Sequence, residues 1–176
     1  QKTGEPGIFS RFAAKFSIPE RRIYKDDFGT NPCGEIILRP SQFCNLSIAN
    51  VTSEDTILDL IQKVYLATIW GTIMSSVDNF TDQIEPEWSK NQKEERLLGV
   101  DLNGQRDNAL FNNPKSRNIV LERLSEFAVA VNKMFANELG IKQAAAVTCA
   151  KPAGNSSVFF GTASGCHGRY SPYYIR

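Results

Sequence analysis

The chain has 176 residues, 41% of them hydrophobic, enough to bury a core as one domain. Twenty basic residues against nineteen acidic leave a net charge of +1, so no charge field points to nucleic acid or a membrane surface. No apolar run reads as a bilayer span, no basic-then-apolar start suggests export, and four cysteines are too few for a disulfide scaffold, so a reducing, cytoplasmic compartment is expected.

The opening "QKTGEPG", with Gln1 first, reads as a chain met in mid-course. Residues 5–18 predict a short amphipathic helix, with Ile8, Phe12 and Phe16 on one face. A polar loop follows over 19–30. "EIIL" (35–38) and "NLSIANV" (45–51) read as strands. Residues 52–77 predict the best helix. Thr52 and Asp55 have capping-box spacing, and Ile57, Ile61, Val64, Ile69, Ile73 and Val77 form its apolar stripe. Residues 83–95 read as polar and exposed. "RLLGVDLNG" (96–104) reads as a strand closing in a Gly turn. A second long helix starts at Asn113–Pro114 and stops at Gly140. "QAAAVTCA" (143–150) reads as a strand, and the small residues "PAGNSS" follow it as a turn. The order β, β, α, β, α, β implies an α/β fold with parallel strands.

The chemistry gathers in "TNPCGEIILRPSQFCNL", residues 30–46. Cys33 and Cys44 are too far apart for a paired zinc knuckle. A Cys33–Cys44–Cys166–His167 set would have to draw its other ligands from the far end of the chain, so no metal is expected. Buried structural thiols are the bland alternative. Against that, Asn31, Pro32 and Gly34 describe a tight turn that presents the Cys33 thiol at a tip. Glu35 and Asn31 stand two residues either side of Cys33, on its side of an extended segment. An amide and a carboxylate around a thiol suit chemistry better than packing.

"NPCGEI" with a further cysteine in "FCNL" resembles the active-site segment of the adenosylcobalamin-dependent (class II) ribonucleotide reductases. "GEPGIF", "ERLLGVDLNG" and "KPAGNSS…GTASGCHGRYSPYYIR" resemble other segments of that family in the same order, so the resemblance covers nearly the whole chain. The di-iron class usually has Leu at the position of Pro32, and the glycyl-radical class lacks the carboxylate of Glu35.

The resemblance implies a ten-stranded α/β barrel with a central finger loop, of which residues 1–176 would be a single segment. It implies ribonucleotide reduction, with Cys33 as a thiyl radical taking the ribose 3′-hydrogen. Glu35 and Asn31 would act on the ribose hydroxyls, and Cys44 would be one of two reducing thiols whose partner lies upstream. Ala153, Gly154, Asn155 and Ser156 would hold substrate phosphate, although the family more often has Ser and Thr at 153 and 155. Adenosylcobalamin is the implied cofactor. The implied partners are a ribonucleoside di- or triphosphate, a deoxynucleotide effector, a thioredoxin-type reductant and complementing reductase segments, with no nucleic acid and no membrane. The motifs lean toward the ribonucleoside-triphosphate branch. The rivals are the di-iron class and a non-catalytic α/β module with a vestigial loop. Cys149 is expected in the core, Cys166 as a structural thiol, and Tyr170, Tyr173 and Tyr174 as packing residues.

Overall fold

The computed structural model describes residues 7–80, 84–169, 171 and 173. Its centre is a parallel pair. β3 (Asn45–Asn50) runs beside β4 (Leu98–Asn103), in register from Asn45 opposite Leu98 to Asn50 opposite Asn103. Along the other edge of β4 lie residues 146–149. Leu98 N–H donates to the Ala146 carbonyl at 3.0 Å, Val100 N–H to Val147 at 2.8 Å, and Cys149 N–H to Val100 at 3.1 Å. The strand expected over 143–150 is thus reduced to one parallel bridge, Val100–Thr148. The mixed α/β class is borne out.

Two long helices cover one face of the pair, α2 (Ile57–Ser76) and α4 (Pro114–Glu138). Side chains alternate along a strand, so Ala49, Leu98, Val100 and Leu102 share that face. They close a core with Leu60 and Val64 of α2 and with Leu124 and Ala128 of α4. Burying Leu60 alone stabilises the fold by ~2 kcal/mol. α2 approaches most closely at Gly71, where a Cβ would stand 3.2 Å from Leu98 Cγ and 3.3 Å from Ser47 Oγ.

The face that α2 buries differs from the expected stripe. Leu60, Val64, Thr68, Gly71, Thr72 and Ser75 are buried, while Ile57, Ile73 and Val77 are exposed. Close helix–sheet packing selects small side chains. The hydroxyls are satisfied within the helix: Thr68 donates to the Val64 carbonyl at 2.7 Å and Thr72 to Thr68 at 2.8 Å. The capping box also sits one turn later than expected. Thr56 Oγ1 accepts from Asp59 N–H at 3.4 Å, and Asp59 Oδ2 accepts from Thr56 N–H at 2.8 Å. Thr52 and Asp55 have the same spacing but close a separate turn, with Thr52 N–H donating to Asp55 Oδ2 at 2.7 Å. By length and composition alone α2 is apolar enough to cross a membrane, at 20 residues and mean hydropathy 1.2. The absence of any such run expected above is corrected on that point. Much of that apolarity lies on the outer side of the helix, in the exposed Leu58, Leu66, Trp70 and Ile73, while the face packed on β3 and β4 is half small or polar.

Two other expectations change. Residues 83–95 contain a helix, α3 (Pro86–Glu95), whose Asn91, Gln92 and Glu95 are buried. Its inward polar face docks on carbonyls rather than on apolar side chains: Asn91 Nδ2 donates to Pro40 and Ser41, and Gln92 Nε2 to Ser75. Near the start, α1 is only Arg11–Ser17, and the first two residues of the expected 5–18 helix lie outside the described residues. Ile8, Phe12 and Phe16 are exposed there, and only Ala14 of the helix is buried. α4 matches expectation. Asn113 Oδ1 accepts from Lys115 N–H at 2.9 Å, and Gly140 at φ +67° ends the helix.

Candidate active site

Residues 29–38 form a hairpin. β1 (Gly29–Thr30) pairs antiparallel with β2 (Ile37–Leu38), and residues 31–36 make the loop. Gly34 N–H donates to the Asn31 carbonyl at 3.0 Å, closing a turn with Pro32 at its second position and Cys33 at its third. Gly34 has φ +80°, a conformation that glycine adopts without strain. Cys33 is exposed at this tip, as expected.

Asn31 organises the loop through both ends of its amide. Its Oδ1 accepts from Ile36 N–H at 3.2 Å, and its Nδ2 donates to Glu35 Oε2 at 2.7 Å. Asn31 and Glu35 meet because the loop turns back through Cys33 and Gly34, and not by the alternation of an extended segment that their spacing suggested. The Glu35 side chain is only 4% exposed. Among the described residues its Oε1 has no hydrogen-bond donor, and it pairs with Lys151, whose Nζ stands 3.8 Å away.

The foot of the hairpin is fixed by a buried network that the sequence did not announce. Arg22 Nη2 pairs with Glu95 Oε2 of α3 at 2.8 Å, and Arg22 Nη1 donates to the Ile37 carbonyl of β2 at 2.7 Å. Gln42 Nε2 also donates to Glu95 Oε2, and the Arg22 guanidinium lies 4.6 Å from the Phe28 ring centre. One arginine therefore ties the loop's base to the end of α3.

The sheet face turned away from α2 and α4 carries the remaining chemistry. Gly99 lies at its middle. A Cβ there would fall 2.4 Å from Leu46 Cδ2, 3.1 Å from Cys149 Sγ and 3.2 Å from Cys44 Sγ. Both sulfurs thus lean over the one residue without a side chain. Burial, and then the Glu35 carboxylate, push the Cys44 thiol up to about 12, against the pull of Arg22 and Lys151. Burial, then Asp101, Cys44 and Glu35, push Cys149 up to about 12 as well. Asp101 is two residues past Gly99 and shares its face. It is 4% exposed, and among the described residues its Oδ2 has no donor. Its carboxyl is raised to about 6, chiefly by burial and to a lesser degree by Glu35, against the backbone N–H groups of Leu102 and Lys151 and the Lys151 ammonium.

Cys149 was expected in the core. It is instead half-buried and lines a cavity of about 250 Å³ together with Glu35. The sequence signal for Asp101, Cys149 and Lys151 was present but unread: alternation from Gly99, and the step from 149 to 151.

Lys151 also brings the second motif to the first, because the turn 152–156 follows it directly. That turn opens α5 (Gly154–Phe160), a short helix where a turn alone was expected. Ala153 is buried, Asn155 is exposed, and no side chain caps the helix start. Residues beyond α5 fold back over the end of β4, where Asn103 Nδ2 donates to Thr162 Oγ1 at 2.9 Å and Asn103 Oδ1 accepts from Gly165 N–H at 2.8 Å. Cys166, expected as a structural thiol, is exposed, and Tyr173 is exposed rather than packed. Tyr170 and Tyr174 lie outside the described residues. Among the described residues no group of three His, Cys, Asp or Glu side chains converges on a metal position.

No family model matches the chain. Two curated proteins do, each named adenosylcobalamin-dependent ribonucleoside-triphosphate reductase. The one from Lactobacillus acidophilus is 26% identical over 208 residues, covering 98% of this chain and 27% of the relative. The one from Lactobacillus helveticus is 26% identical over 206 residues, with the same coverage of both. A crystal structure of a B-12-dependent (class II) ribonucleotide reductase superposes with TM-score 0.67 at 21% identity, over 82% of this chain and 23% of that one. The resemblance read from the motifs therefore extends over nearly the whole chain, and the fold is shared. The chain spans about a quarter of the length of the curated relatives it matches.

Proposed function

We propose that this chain is a segment of the catalytic barrel of an adenosylcobalamin-dependent ribonucleotide reductase, acting on a ribonucleoside triphosphate. The observation that carries the reading is the hairpin itself. An exposed thiol stands at its tip, an amide locks the neighbouring carboxylate, and one oxygen of that carboxylate is left without a donor.

In this reading Cys33 is the thiyl-bearing residue and removes the ribose 3′-hydrogen. Glu35 takes the 3′-hydroxyl proton through the oxygen that Asn31 leaves unbonded. Asn31 sets the carboxylate's angle and orients the hydroxyls. The 2′-hydroxyl then leaves as water, with a proton from a thiol. Cys44 and a second thiol supply two electrons and two hydrogens in all and finish as a disulfide. Cys33 returns the hydrogen to C3′, so the net change is loss of the 2′-hydroxyl, formation of a C2′–H bond, and oxidation of one dithiol. The turn Ala153–Ser156 offers backbone N–H groups to substrate phosphate. Ala153 and Asn155 leave the side-chain contribution to Ser156.

The hairpin tip leaves room for the cofactor. Cys33 is exposed, and nothing lies within 4 Å of a Cβ built at Gly34, so Pro32, Cys33 and Gly34 face open space. Adenosylcobalamin, when bound, supplies the initial radical by cleavage of its cobalt–carbon bond. The reading also includes a ten-stranded barrel completed by other reductase segments, a deoxynucleotide effector, a thioredoxin-type reductant and a cytoplasmic setting.

The test is anaerobic reduction of ribonucleoside triphosphates with the complementing segments present. Activity should appear only with adenosylcobalamin and vanish in Cys33→Ser. Activity without the cofactor, or its survival in that variant, would overturn the reading.

A further inference from the structure

Among the described residues, two carboxylate oxygens beside the sheet's chemical face lack hydrogen-bond donors, Glu35 Oε1 and Asp101 Oδ2. The Glu35 side chain and the whole of Asp101 are each 4% exposed. An unpaired carboxylate oxygen held out of water is costly, so each of them calls for a partner. One ammonium pairs with the first and, without an ion pair, bears on the second. Lys151 Nζ stands 3.8 Å from Glu35 Oε1, within ion-pair range but too far for a hydrogen bond. The same ammonium, and the Lys151 backbone N–H, act on Asp101. The lysine side chain is 24% exposed and flexible by nature, unlike the two acids. The Cys149 thiol feels the same three charges, and the Cys44 thiol feels Glu35 and Lys151.

The geometry points to Lys151 as a positioning residue shared by Glu35 and Asp101. It covers Glu35 Oε1 when the site is empty and passes to Asp101 Oδ2 when a ligand hydroxyl takes that oxygen. Asp101 is the lysine's second berth, and the ligand class is a sugar that turns a hydroxyl donor toward Glu35. This accounts for both orphaned oxygens with one side chain. It also explains why the Lys151–Glu35 pair is loose: a tight bond would compete with the ligand. Naming the ligand as ribose rests on the function proposed above; the sharing of the lysine does not.

The test has two arms, both on the native protein. In the first, the Asp101 carboxyl is titrated by carbon-13 NMR without ligand. The groups that bear on it are Lys151, Glu35, Cys149 and the backbone N–H of Leu102. Glu35→Gln removes a like charge and frees the lysine, so the Asp101 midpoint should fall from about 6 by roughly one pH unit or more, and Lys151→Met should raise it. An Asp101 midpoint unmoved in both variants overturns the sharing. In the second arm, affinities for a ribonucleoside triphosphate and its 3′-deoxy analogue are compared. Asp101→Asn should reduce the preference for the 3′-hydroxyl by roughly tenfold, with the 3′-deoxy analogue bound as before. Equal weakening of both nucleotides makes Asp101 merely structural and overturns its role as a berth. If the native protein shows no 3′-hydroxyl preference while the titration shifts hold, the ribose reading fails and the shared lysine stands.

Discussion

Asp101→Asn should stabilise the protein at neutral pH and matter much less in acid. In the folded chain the Asp101 carboxyl sits at about 6, against an ordinary value of 3.8, chiefly because burial disfavours its charge. The folded state therefore holds the proton more tightly than the unfolded state. Its stabilising share is complete below about 3.8 and is lost as pH rises through about 6. Above that range the buried charge costs a constant ~3 kcal/mol, from ~1.4 kcal/mol per pH unit. Asparagine keeps the shape and an acceptor oxygen and carries no charge. The gain from the substitution should be ~1 kcal/mol near pH 4.5 and ~3 kcal/mol near pH 7.5. Urea denaturation of the native protein and the variant at both pH values measures it. A gain that is equal at the two pH values, or a variant less stable near neutrality, would refute the reasoning.

Three further perturbations test other parts of the site. Gly99→Ala places a methyl 2.4 Å from Leu46 Cδ2 and against both sulfurs, and should lower stability by ~1–3 kcal/mol in thermal melting; an unchanged melting temperature would mean that the sulfurs do not crowd that point. Arg22→Met leaves Glu95 buried without its cation and should cost ~3–5 kcal/mol, while Arg22→Met combined with Glu95→Leu should recover most of it. Alkylation followed by peptide mass spectrometry should modify the exposed Cys33 and Cys166 first. Labelling of Cys44 and Cys149 should rise about tenfold per pH unit up to pH ~10, because both thiols titrate at about 12. A labelling rate at Cys44 that levels off near pH 9 contradicts its burial.

What could be read from the sequence followed local rules, and what could not depended on distant partners. Asn113–Pro114 and Gly140 marked the ends of α4, because caps are chosen by the residues beside them. The turn at Cys33 was legible for the same reason: proline and glycine flank it. The register of the capping box was not, because Thr52–Asp55 and Thr56–Asp59 share one spacing and both are used. α3 was missed because its buried face is Asn91, Gln92 and Glu95, which read as solvated until Arg22, Asn45 and the carbonyls of Ser75 and Pro40 are brought to them. Half of the site's charge was missed similarly. Asp101 and Lys151 are fifty residues from Cys33 or more, and only strand pairing places them beside Glu35.

The isolated 176-residue chain should self-associate. β3 pairs with β4 along one edge and, among the described residues, has no strand on the other, so it offers a row of backbone groups to another chain. Beside that edge Leu46, Ile48, Leu66, Trp70 and Phe160 line an open groove. Leu66 is 64% exposed, Trp70 61% and Phe160 55%, and Phe159 adjoins them at 83%. An apolar patch of this kind beside a bare strand edge is an association site rather than a solvated surface. In the proposed barrel another reductase segment covers it. The net charge of +1 supplies no repulsion between copies. Sedimentation velocity of the isolated chain should show oligomers or aggregate at micromolar concentration, and thermal melting should be broad. Adding the complementing segments should sharpen both. A monomeric chain with one cooperative transition would show that the groove is satisfied within these residues, and would count against the segment reading itself.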